Sequence, residues 1–447
     1  MKLHSLQLTN FRCFESLTVE FDPQLTVLVS NNGMGKTAVL EALATGLDLF
    51  LKYLTGVAGR NLKETDIRLD DEGNNQAYMR IRVETTDRIV WDRTKPRNNI
   101  PIGLSNIPSG ISYKEIAKYA NEIVDERGQN KKTFPLIAYY GTGRAVFDVP
   151  QNRNIFRREH PFNGAYKNAL DAKPNFRRFF EYFYFLEDLE RRDKEEYRNW
   201  DYRLLELEII RCAISRMMPE FSNPHSELRP LRFMVYYNRK NLRIEQLSDG
   251  YRTTLALVMD IASRLAGLAE WNKNPITGLP TVKQALDNVG IVLIDEIDLH
   301  LHPSWQQRIL PDLMRTFPNI QFIVTTHSPQ VLTTVRRENI RVIGPNILNQ
   351  IIAEPPQAMT YCQPSGDVMQ SVMRVDPQPP GQDGEKADLE RLTELVDQGC
   401  HDKDEAQKLQ RRLVIKLGEQ HPQLQRLERS IKRQERIKNE EHKKRLQ

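Results

Sequence analysis

Hydrophobic and polar positions over the first fifty residues predict two paired strands, a buried strand and a long helix. Apolar residues alternate with polar ones from Met1 to Asp22, which is typical of two antiparallel strands, here around the turn Asn10–Phe14. Leu25–Val29 is a short continuous apolar run, as expected of a buried strand. Apolar residues then recur at helical spacing over Ala38–Leu51, so a glycine-rich turn joins this strand to a helix.

Further along the chain, apolar runs alternate with longer charged stretches. Three apolar runs predict further buried strands: Leu136–Tyr140, Gly290–Ile294 and Gln321–Thr325. Residues 147–230 mix aromatic side chains with dense charge and predict a helical lobe inserted between two halves of a sheet domain. The aromatic residues Phe176, Phe179, Phe180, Phe183 and Tyr184 indicate helix–helix packing rather than a surface for stacking nucleic-acid bases.

The last hundred residues differ from the rest in composition. Residues 351–385 are rich in Pro, Gln and Gly and predict a linker or an irregular connection. Residues 386–447 predict charged helices with periodic apolar positions. Those positions either complete the core of the preceding domain or form an exposed stripe that docks a partner. The pattern as a whole predicts an α/β domain over residues 1–350, with a mixed sheet, flanking helices and the helical lobe at 147–230.

Composition adds the expectation of a cytoplasmic protein without a membrane span. Hydrophobic residues make up 39% and charged residues 28% of the 447 residues, and no run of 18 apolar residues occurs. The four cysteines are scattered and suit reduced thiols. The net charge of +5 lies in the segment His421–Gln447. This basic segment is either a nucleic-acid contact or a solvated helix face, and the sequence leaves both interpretations open.

The glycine-rich turn between the third strand and the first helix predicts a phosphate-binding loop. Gly33 and Gly35 allow closely spaced backbone amides to face phosphate oxygens, and the helix N-terminus favours negative charge. Lys36 would reach the β- and γ-phosphates, and Thr37 would ligate Mg²⁺. The usual phosphate-loop pattern, G-x-x-x-x-G-K-S/T, begins with glycine, whereas this chain has Ser30 at that position. The predicted ATP-binding loop comprises Ser30, Asn31, Asn32, Gly33, Met34, Gly35, Lys36 and Thr37.

A strand that ends in carboxylates supplies the second half of the predicted chemistry. Ile291–Asp298 reads I-V-L-I-D-E-I-D, in which an apolar strand is followed by acidic residues. Asp295 would hold Mg²⁺, and Glu296 would orient and deprotonate the attacking water. The sequence therefore predicts hydrolysis of ATP with Mg²⁺ as the cofactor.

Two further segments resemble motifs of ABC-type ATPase heads. Gln246–Arg252, Q-L-S-D-G-Y-R, resembles the ABC signature LSGGQ, with matches at Leu247, Ser248 and Gly250 and departures at Asp249 and Tyr251. Thr325–Pro329, T-T-H-S-P, follows a predicted strand and resembles the switch-histidine segment. All the motifs stand in the order found in that family, and the opening L-Q-L-T-N-F-R-C-F resembles the RecF-like and OLD-like groups.

The resemblance implies roles for five further residues and a dimer of heads. Ser248 and Gly250 would contact the γ-phosphate bound by a second copy, so two protomers would complete each site. His327 would bond the γ-phosphate or the attacking water, and Asp298 resembles the residue that crosses between protomers. Arg12 is a candidate contact for adenine or phosphate. Pro135–Arg144 occupies the place of the glutamine loop without a glutamine, which leaves the roles of Tyr140 and Arg144 open.

The segment after residue 350 distinguishes between the subfamilies of these ATPases. Residues 405–431 resemble the C-terminal helices of PtuA-type ATPase subunits of Septu anti-phage systems, in which the ATPase is paired with a separately encoded HNH nuclease. The resemblance implies a second copy, an HNH nuclease and, through the complex, DNA as partners. Two alternatives are a RecF-like DNA repair ATPase and an OLD-like nuclease, but the tail lacks the paired metal carboxylates of the latter. His300 and His302 are interpreted as part of a structural turn.

Overall fold

The computed structural model describes residues 1–56, 60–98, 107–108, 113–125, 133–145, 161–172, 176–228, 231–269, 271–272, 278–377 and 384–445. Its strands are β1 (Leu3–Phe11), β2 (Phe14–Glu20), β3 (Leu25–Val29), β4 (Tyr78–Thr85), β5 (Val90–Pro96), β6 (Leu136–Tyr140), β7 (Phe221–Leu228), β8 (Leu231–Tyr237), β9 (Lys240–Arg243), β10 (Gly290–Ile294), β11 (Ile320–Thr325), β12 (Ile340–Pro345) and β13 (Ile351–Glu354). Its α-helices are α1 (Lys36–Thr55), α2 (Lys114–Asp125), α3 (Pro161–Tyr166), α4 (Phe176–Glu196), α5 (Leu205–Met217), α6 (Asp249–Ala269), α7 (Val282–Leu286), α8 (Pro303–Gln306), α9 (Ile309–Thr316), α10 (Pro329–Leu332), α11 (Ser365–Ser371), α12 (Glu385–Asp397), α13 (Asp404–Leu417) and α14 (Pro422–Arg445). None of the helices in these residues is both long and apolar enough to cross a membrane.

The central sheet has six strands in the order β13-β12-β3-β11-β10-β6. The five strands from β12 to β6 are parallel, and β13 pairs antiparallel with β12 at the edge. Every residue of β3, β6, β10 and β11 is buried, as expected where both faces of a parallel sheet are covered. The predicted α/β fold with a mixed sheet and flanking helices is confirmed.

A second sheet, antiparallel with the order β2-β1-β4-β5, contains the first strands of the chain. The helix α1 contacts β4 of this sheet and β10 and β11 of the central sheet, so it is packed on both sides. Gly46 provides the close approach, since a Cβ there would lie 2.7 Å from a methyl carbon of Val83. The indole of Trp91 donates to the carbonyl of Gly46 at 3.0 Å. The helix that begins at the phosphate loop is therefore held between two sheets.

The predicted helical lobe is wrong at its C-terminal end. Helices α3, α4 and α5 lie in this segment, but β7 pairs antiparallel with β8 and begins a three-stranded sheet, β7-β8-β9. The strand is hard to see in the sequence because its register shifts between Ser222 and His225, with Asn223 at a positive φ of 47°. Residues 147–160 of the predicted lobe lie outside the described residues. Phe179, Phe180 and Phe183 are buried and pack their rings against Phe233 of β8. These aromatic residues therefore pack in the core as predicted, but this cluster joins a helix to a strand rather than to another helix.

The predicted linker at 351–385 is also wrong in its first part. Residues 351–354 form β13 at the edge of the central sheet, and Val368 of α11 is buried in the main core together with Val372, which directly follows that helix. Thr360 is buried and donates its hydroxyl to the carbonyl of Val335 at 2.6 Å. The first compact unit accordingly extends from Met1 to Met373. A Pro- and Gln-rich composition did not distinguish this packed edge from a free connection.

The second compact unit, Arg374–Gln447, has a hydrophobic core of its own. Helices α12, α13 and α14 bury most of the periodic apolar residues against one another; the buried ones are Leu389, Leu392, Leu395, Val396, Ala406, Leu413, Leu424 and Leu427. The two interpretations of this stripe, part of the preceding core or an exposed docking surface, are therefore both wrong for these residues. A helical stripe shows that one face is buried but does not identify what covers it.

Candidate functional site

The candidate site lies at the carboxyl ends of four neighbouring parallel strands. The phosphate loop follows β3, the segment with His327 follows β11, Asp295 and Glu296 follow β10, and Arg144 comes shortly after β6. Ligands of open α/β sheets bind at this edge because loops from adjacent strands converge there. The strand order therefore brings together residues that are up to 291 positions apart in the chain, from Lys36 to His327.

Lys36 closes the phosphate loop on itself. Its ammonium donates to the carbonyl of Ser30 at 2.8 Å, to the Ser30 hydroxyl at 3.1 Å and to the carbonyl of Asn31 at 3.4 Å. Burial lowers the pKa of Lys36, while the nearby carboxylates of Asp295, Glu296 and Asp298 act in the opposite direction. The serine in place of the expected glycine is thus a further acceptor for this lysine, and the departure from the usual loop pattern fits the site.

Both loop glycines have left-handed backbone angles, with φ of 80° at Gly33 and 87° at Gly35. Gly35 also lies against the turn between β1 and β2. A Cβ at Gly35 would be 2.4 Å from Cζ of Phe14 and 2.6 Å from the sulfur of Cys13, whereas Gly33 has no neighbour within 4 Å. The N-terminal hairpin therefore sets the position of the phosphate loop, and only glycine fits at position 35.

Thr37 and Asp295 form an oxygen cluster of the kind that Mg²⁺ prefers. The Thr37 hydroxyl donates to one carboxylate oxygen of Asp295 at 2.9 Å, and the Thr325 hydroxyl donates to the other at 2.6 Å. Asp295 is buried, while Thr37 is exposed. A hydroxyl and a carboxylate side by side fit a hard cation that bridges the protein and phosphate oxygens. The predicted metal-binding pair is thus brought together across 258 residues.

Glu296 has an unusual backbone conformation, with a φ of 46°. Its amide donates to the Thr325 hydroxyl at 2.7 Å, and its carbonyl accepts from Arg144. A left-handed residue with a long side chain costs about 1–2 kcal/mol, so the surrounding bonds must hold it. The left-handed conformation of Glu296, the predicted general base, therefore ends the extended course of β10 at this residue.

Asp298 and His327 are also neighbours. One carboxylate oxygen of Asp298 accepts from the Thr326 hydroxyl at 2.6 Å and from the His327 amide at 3.3 Å. Ser328 then caps the short helix α10 by accepting from the Val331 amide. Asp298 therefore fixes the backbone of the histidine segment within one protomer. Its predicted role between protomers and the role of His327 at the phosphate stay predictions.

The signature segment lies where α6 begins. Ser248 is exposed, its carbonyl accepts from the Arg252 amide at 3.0 Å, and the helix starts at Asp249. A Cβ at Gly250 would lie 2.6 Å from the carbonyl oxygen of His300. Glycine is therefore needed where the turn after β10 approaches the signature helix. Ser248 and Gly250 as phosphate contacts for a second copy stay predictions.

The departures from the usual signature have structural explanations. Asp249 forms an ion pair with Arg252, and Tyr251 packs its ring against Phe221, at 5.2 Å between centroids, and against Trp305, at 5.1 Å. The aromatic contacts join α6 to β7 and α8. His302 accepts from the Ser304 amide as the N-cap of α8, in agreement with a structural turn.

Arg12 is held by two carboxylates. Its guanidinium forms ion pairs with Glu41 of α1 and with Asp66, the latter at 2.9 Å. Burial opposes ionisation, yet the two carboxylates leave the pKa of Arg12 raised. These contacts use Nε and one terminal nitrogen of the guanidinium, and the predicted contact with adenine or phosphate stays a prediction.

Tyr140 and Arg144, whose roles the sequence left open, lie in different surroundings. The buried Tyr140 hydroxyl donates to Asp260 of α6 at 2.7 Å, and Arg264 donates to the same carboxylate oxygen at 2.7 Å. Arg144 is 2% exposed and donates to the carbonyls of Asp295 and Glu296. Motif reasoning missed Arg144 as a partner of the acidic turn, Asp295–Asp298, since no spacing in the sequence links Arg144 to residues more than 150 positions away.

Comparisons with known proteins also indicate an ATPase. The sequence pattern of a family described as an AAA domain matches residues 5–220. The retron Ec83 probable ATPase of Escherichia coli is 32% identical over 412 residues, covering 76% of this chain and 71% of the relative. The retron Vc95 probable ATPase of Vibrio cholerae is 29% identical, covering 77% and 74%. The Septu protein PtuA of Bacillus thuringiensis is 20% identical, covering 76% of each chain.

Solved structures give only distant matches. The SMC head bound to the C-terminal winged-helix domain of ScpA aligns with a TM-score of 0.42 and 14% identity, covering 79% of this chain and 98% of that chain. Because this similarity is so low, the fold assignment rests on the strand order of the chain itself. The retron ATPases, which the sequence motifs did not indicate, match with higher identity than the PtuA protein that aligns over a similar share of the chain.

Proposed function

The chain belongs to the RecF/OLD-like group of ABC-type AAA ATPases, and from this premise we propose that it hydrolyses ATP to ADP and phosphate at sites shared by two copies. The observation that carries the proposal is the convergence of Lys36, Thr37, Asp295 and Glu296 at one edge of the sheet. The contact of 2.9 Å between Thr37 and Asp295 joins the phosphate loop directly to the acidic turn. Nucleotide and metal are needed together at such a junction.

Each residue has a distinct task in the proposed reaction. The loop amides and Lys36 bind and orient the phosphates, and Thr37 with Asp295 would hold Mg²⁺, which neutralises charge on the phosphate oxygens when bound. Glu296 takes the proton of the attacking water, and His327 forms a hydrogen bond with the γ-phosphate or with that water. Because the reaction develops charge on phosphate oxygens, most of the acceleration comes from positioned donors.

The second half of each site comes from another copy of the chain. Ser248 is exposed at the N-terminal end of the 21-residue helix α6, where a hydroxyl, free amides and the helix dipole favour an anion. We propose that this end binds the γ-phosphate held by Lys36 of the partner protomer. ATP then acts as a bridge between two heads, and its hydrolysis releases them.

We further propose that the ATPase works in an anti-phage defence complex in the cytoplasm, with a separately encoded HNH nuclease and, through the complex, with DNA. Relatives named as Septu PtuA and as retron ATPases support a defence role. The alternative of a RecF-like DNA repair ATPase has support from RecF relatives that match about a fifth of the chain. An HNH reading frame beside the gene favours the first proposal, and its absence favours repair.

The test of the catalytic proposal is the variant Glu296→Gln. It should bind ATP as tightly as wild type but hydrolyse it at least ~10²-fold more slowly, the usual scale for loss of a general base. Phosphate release and nucleotide affinity are measured on the same preparation with Mg²⁺. Wild-type turnover by the pure variant would remove Glu296 from the mechanism. Loss of both ATP binding and turnover would instead indicate damage to the loop.

A further inference from the structure

The turn after β6 places a buried arginine behind the acidic turn. Arg144 lies in the short 3-10 helix Thr142–Ala145, and only 2% of its surface is exposed. One guanidinium nitrogen donates to the carbonyl of Gly141 at 3.2 Å and to the carbonyl of Asp295, and the other donates to the carbonyl of Glu296. Arg144 therefore binds two consecutive peptide carbonyls of the predicted catalytic segment.

The chemistry of arginine suits this position better than that of other large side chains. A planar guanidinium presents several donors in a fixed arrangement, so it can bond two adjacent carbonyls at once, which a single ammonium does less well. Burial opposes the charge and lowers the pKa of Arg144 to about 10, while Asp295, Asp298 and Glu296 partly offset that effect. Burying a cation costs free energy, and here the hydrogen bonds to backbone carbonyls and the nearby carboxylates offset that cost.

The bonds fix a peptide that would otherwise relax. Glu296 has a φ of 46°, which disfavours it relative to an extended conformation. Its amide is held by Thr325, the Asp295 amide donates to the carbonyl of Tyr140 at 2.8 Å, and the Ile297 amide donates to the carbonyl of Thr325 at 2.9 Å. Arg144 supplies the corresponding bonds on the carbonyl side. Without Arg144 we expect the peptide between Glu296 and Ile297 to rotate. That rotation would move the Glu296 side chain away from its position at the carboxyl end of β10.

We propose that Arg144 is a positioning residue for ATP hydrolysis, which holds the left-handed turn at Glu296 so that its carboxylate faces the attacking water. This inference rests on the proposed ATPase function. It assigns to the segment in the place of the glutamine loop a task other than contact with the γ-phosphate, since the guanidinium of Arg144 is committed to backbone carbonyls. Its effect is on the chemical step and not on nucleotide affinity.

The first test separates kcat from KM. Arg144→Gln should lower kcat by about 10²-fold, the scale of a displacement of about 1 Å at a catalytic group, with KM and ATP affinity near wild type. Arg144→Lys should lose less, since it keeps the charge and part of the bonding. The control is Arg93→Gln, because Arg93 also donates to two backbone carbonyls, those of Thr45 and Arg60, both at 2.8 Å. It should lose stability and keep wild-type kcat.

The second test is a double-mutant cycle with Glu296→Gln. If Arg144 acts through Glu296, adding Arg144→Gln to Glu296→Gln should not slow hydrolysis further, whereas independent losses would multiply to roughly 10⁴-fold. Should Arg144→Gln fail to fold, the same cycle is run with Arg144→Lys. Wild-type kcat in a folded Arg144 variant, or fully multiplicative losses, overturns the inference. Full activity of Glu296→Gln would remove Glu296 from the mechanism and overturn the inference with it, whereas an inactive wild-type protein would refute the proposed function itself.

Discussion

Replacement of Gly35 by alanine tests whether the N-terminal hairpin sets the position of the phosphate loop. Two costs are expected: about 1–2 kcal/mol for a side chain at a φ of 87°, and about 1–3 kcal/mol for displacing Phe14 and Cys13. Gly56 caps the other end of α1 with a φ of 71° and has no neighbour within 4 Å of a new Cβ. Gly56→Ala therefore carries only the first cost and is the matched control.

The assay combines urea unfolding with ATP binding. Gly35→Ala should be less stable than Gly56→Ala by about 1–3 kcal/mol and should bind ATP much more weakly, because the loop amides move when the ring of Phe14 is displaced. Gly56→Ala should bind ATP as wild type does. Equal stability and equal affinity for the two variants would refute the packing of the hairpin against the loop.

Three further predictions follow from the same contacts. Ser30→Gly should leave ATP binding almost unchanged and cost less than about 1.5 kcal/mol, because Lys36 keeps its bond to the carbonyl of residue 30; a large loss of affinity would contradict this. Tyr251→Ala should destabilise the chain by about 2–4 kcal/mol in urea unfolding while Tyr251→Phe stays near wild type, since the ring packs against Phe221 and Trp305; equal effects would contradict the aromatic role. A chain ending after Met373 should fold and bind ATP as the full chain does, because residues 374–447 form a separate unit with a hydrophobic core of its own; loss of ATP binding would contradict this division.

The sequence could predict the parts of the site that depend on local order. The phosphate loop, the acidic turn and the histidine segment each follow a strand, and parallel strands bring their ends together once the sheet forms. Arg144 could not be found in this way, because its partners are backbone carbonyls that any residue supplies. The ion pairs of Arg12 with Glu41 and Asp66 likewise depend on how α1 packs against the hairpin.

The fold was harder to predict where burial alone was visible. The leucines from Leu389 to Leu427 predicted a covered face, but the partner that covers it is the neighbouring helix of the same unit. Strand β7 lies in the segment predicted as a helical lobe, and its alternation is hard to recognise because a bulge at Asn223 breaks it. Strand β13, I-I-A-E, is apolar in three of its four residues, but it is too short to stand out from the Pro- and Gln-rich segment that follows it.

The central claim, that two copies complete each ATP site, is tested most directly by mixing two inactive variants. Lys36→Ala should lose nucleotide binding in its own loop, and Ser248→Arg should bind ATP without hydrolysing it. With random exchange in a two-fold dimer, an equal mixture should regain up to roughly a quarter of wild-type hydrolysis, since one site then has an intact loop and an intact signature. Mixing Lys36→Ala with the double variant Lys36→Ala/Ser248→Arg is the control, and it should regain nothing. No recovery in the first mixture, with subunit exchange demonstrated by energy transfer between labelled chains, would contradict the two-protomer site.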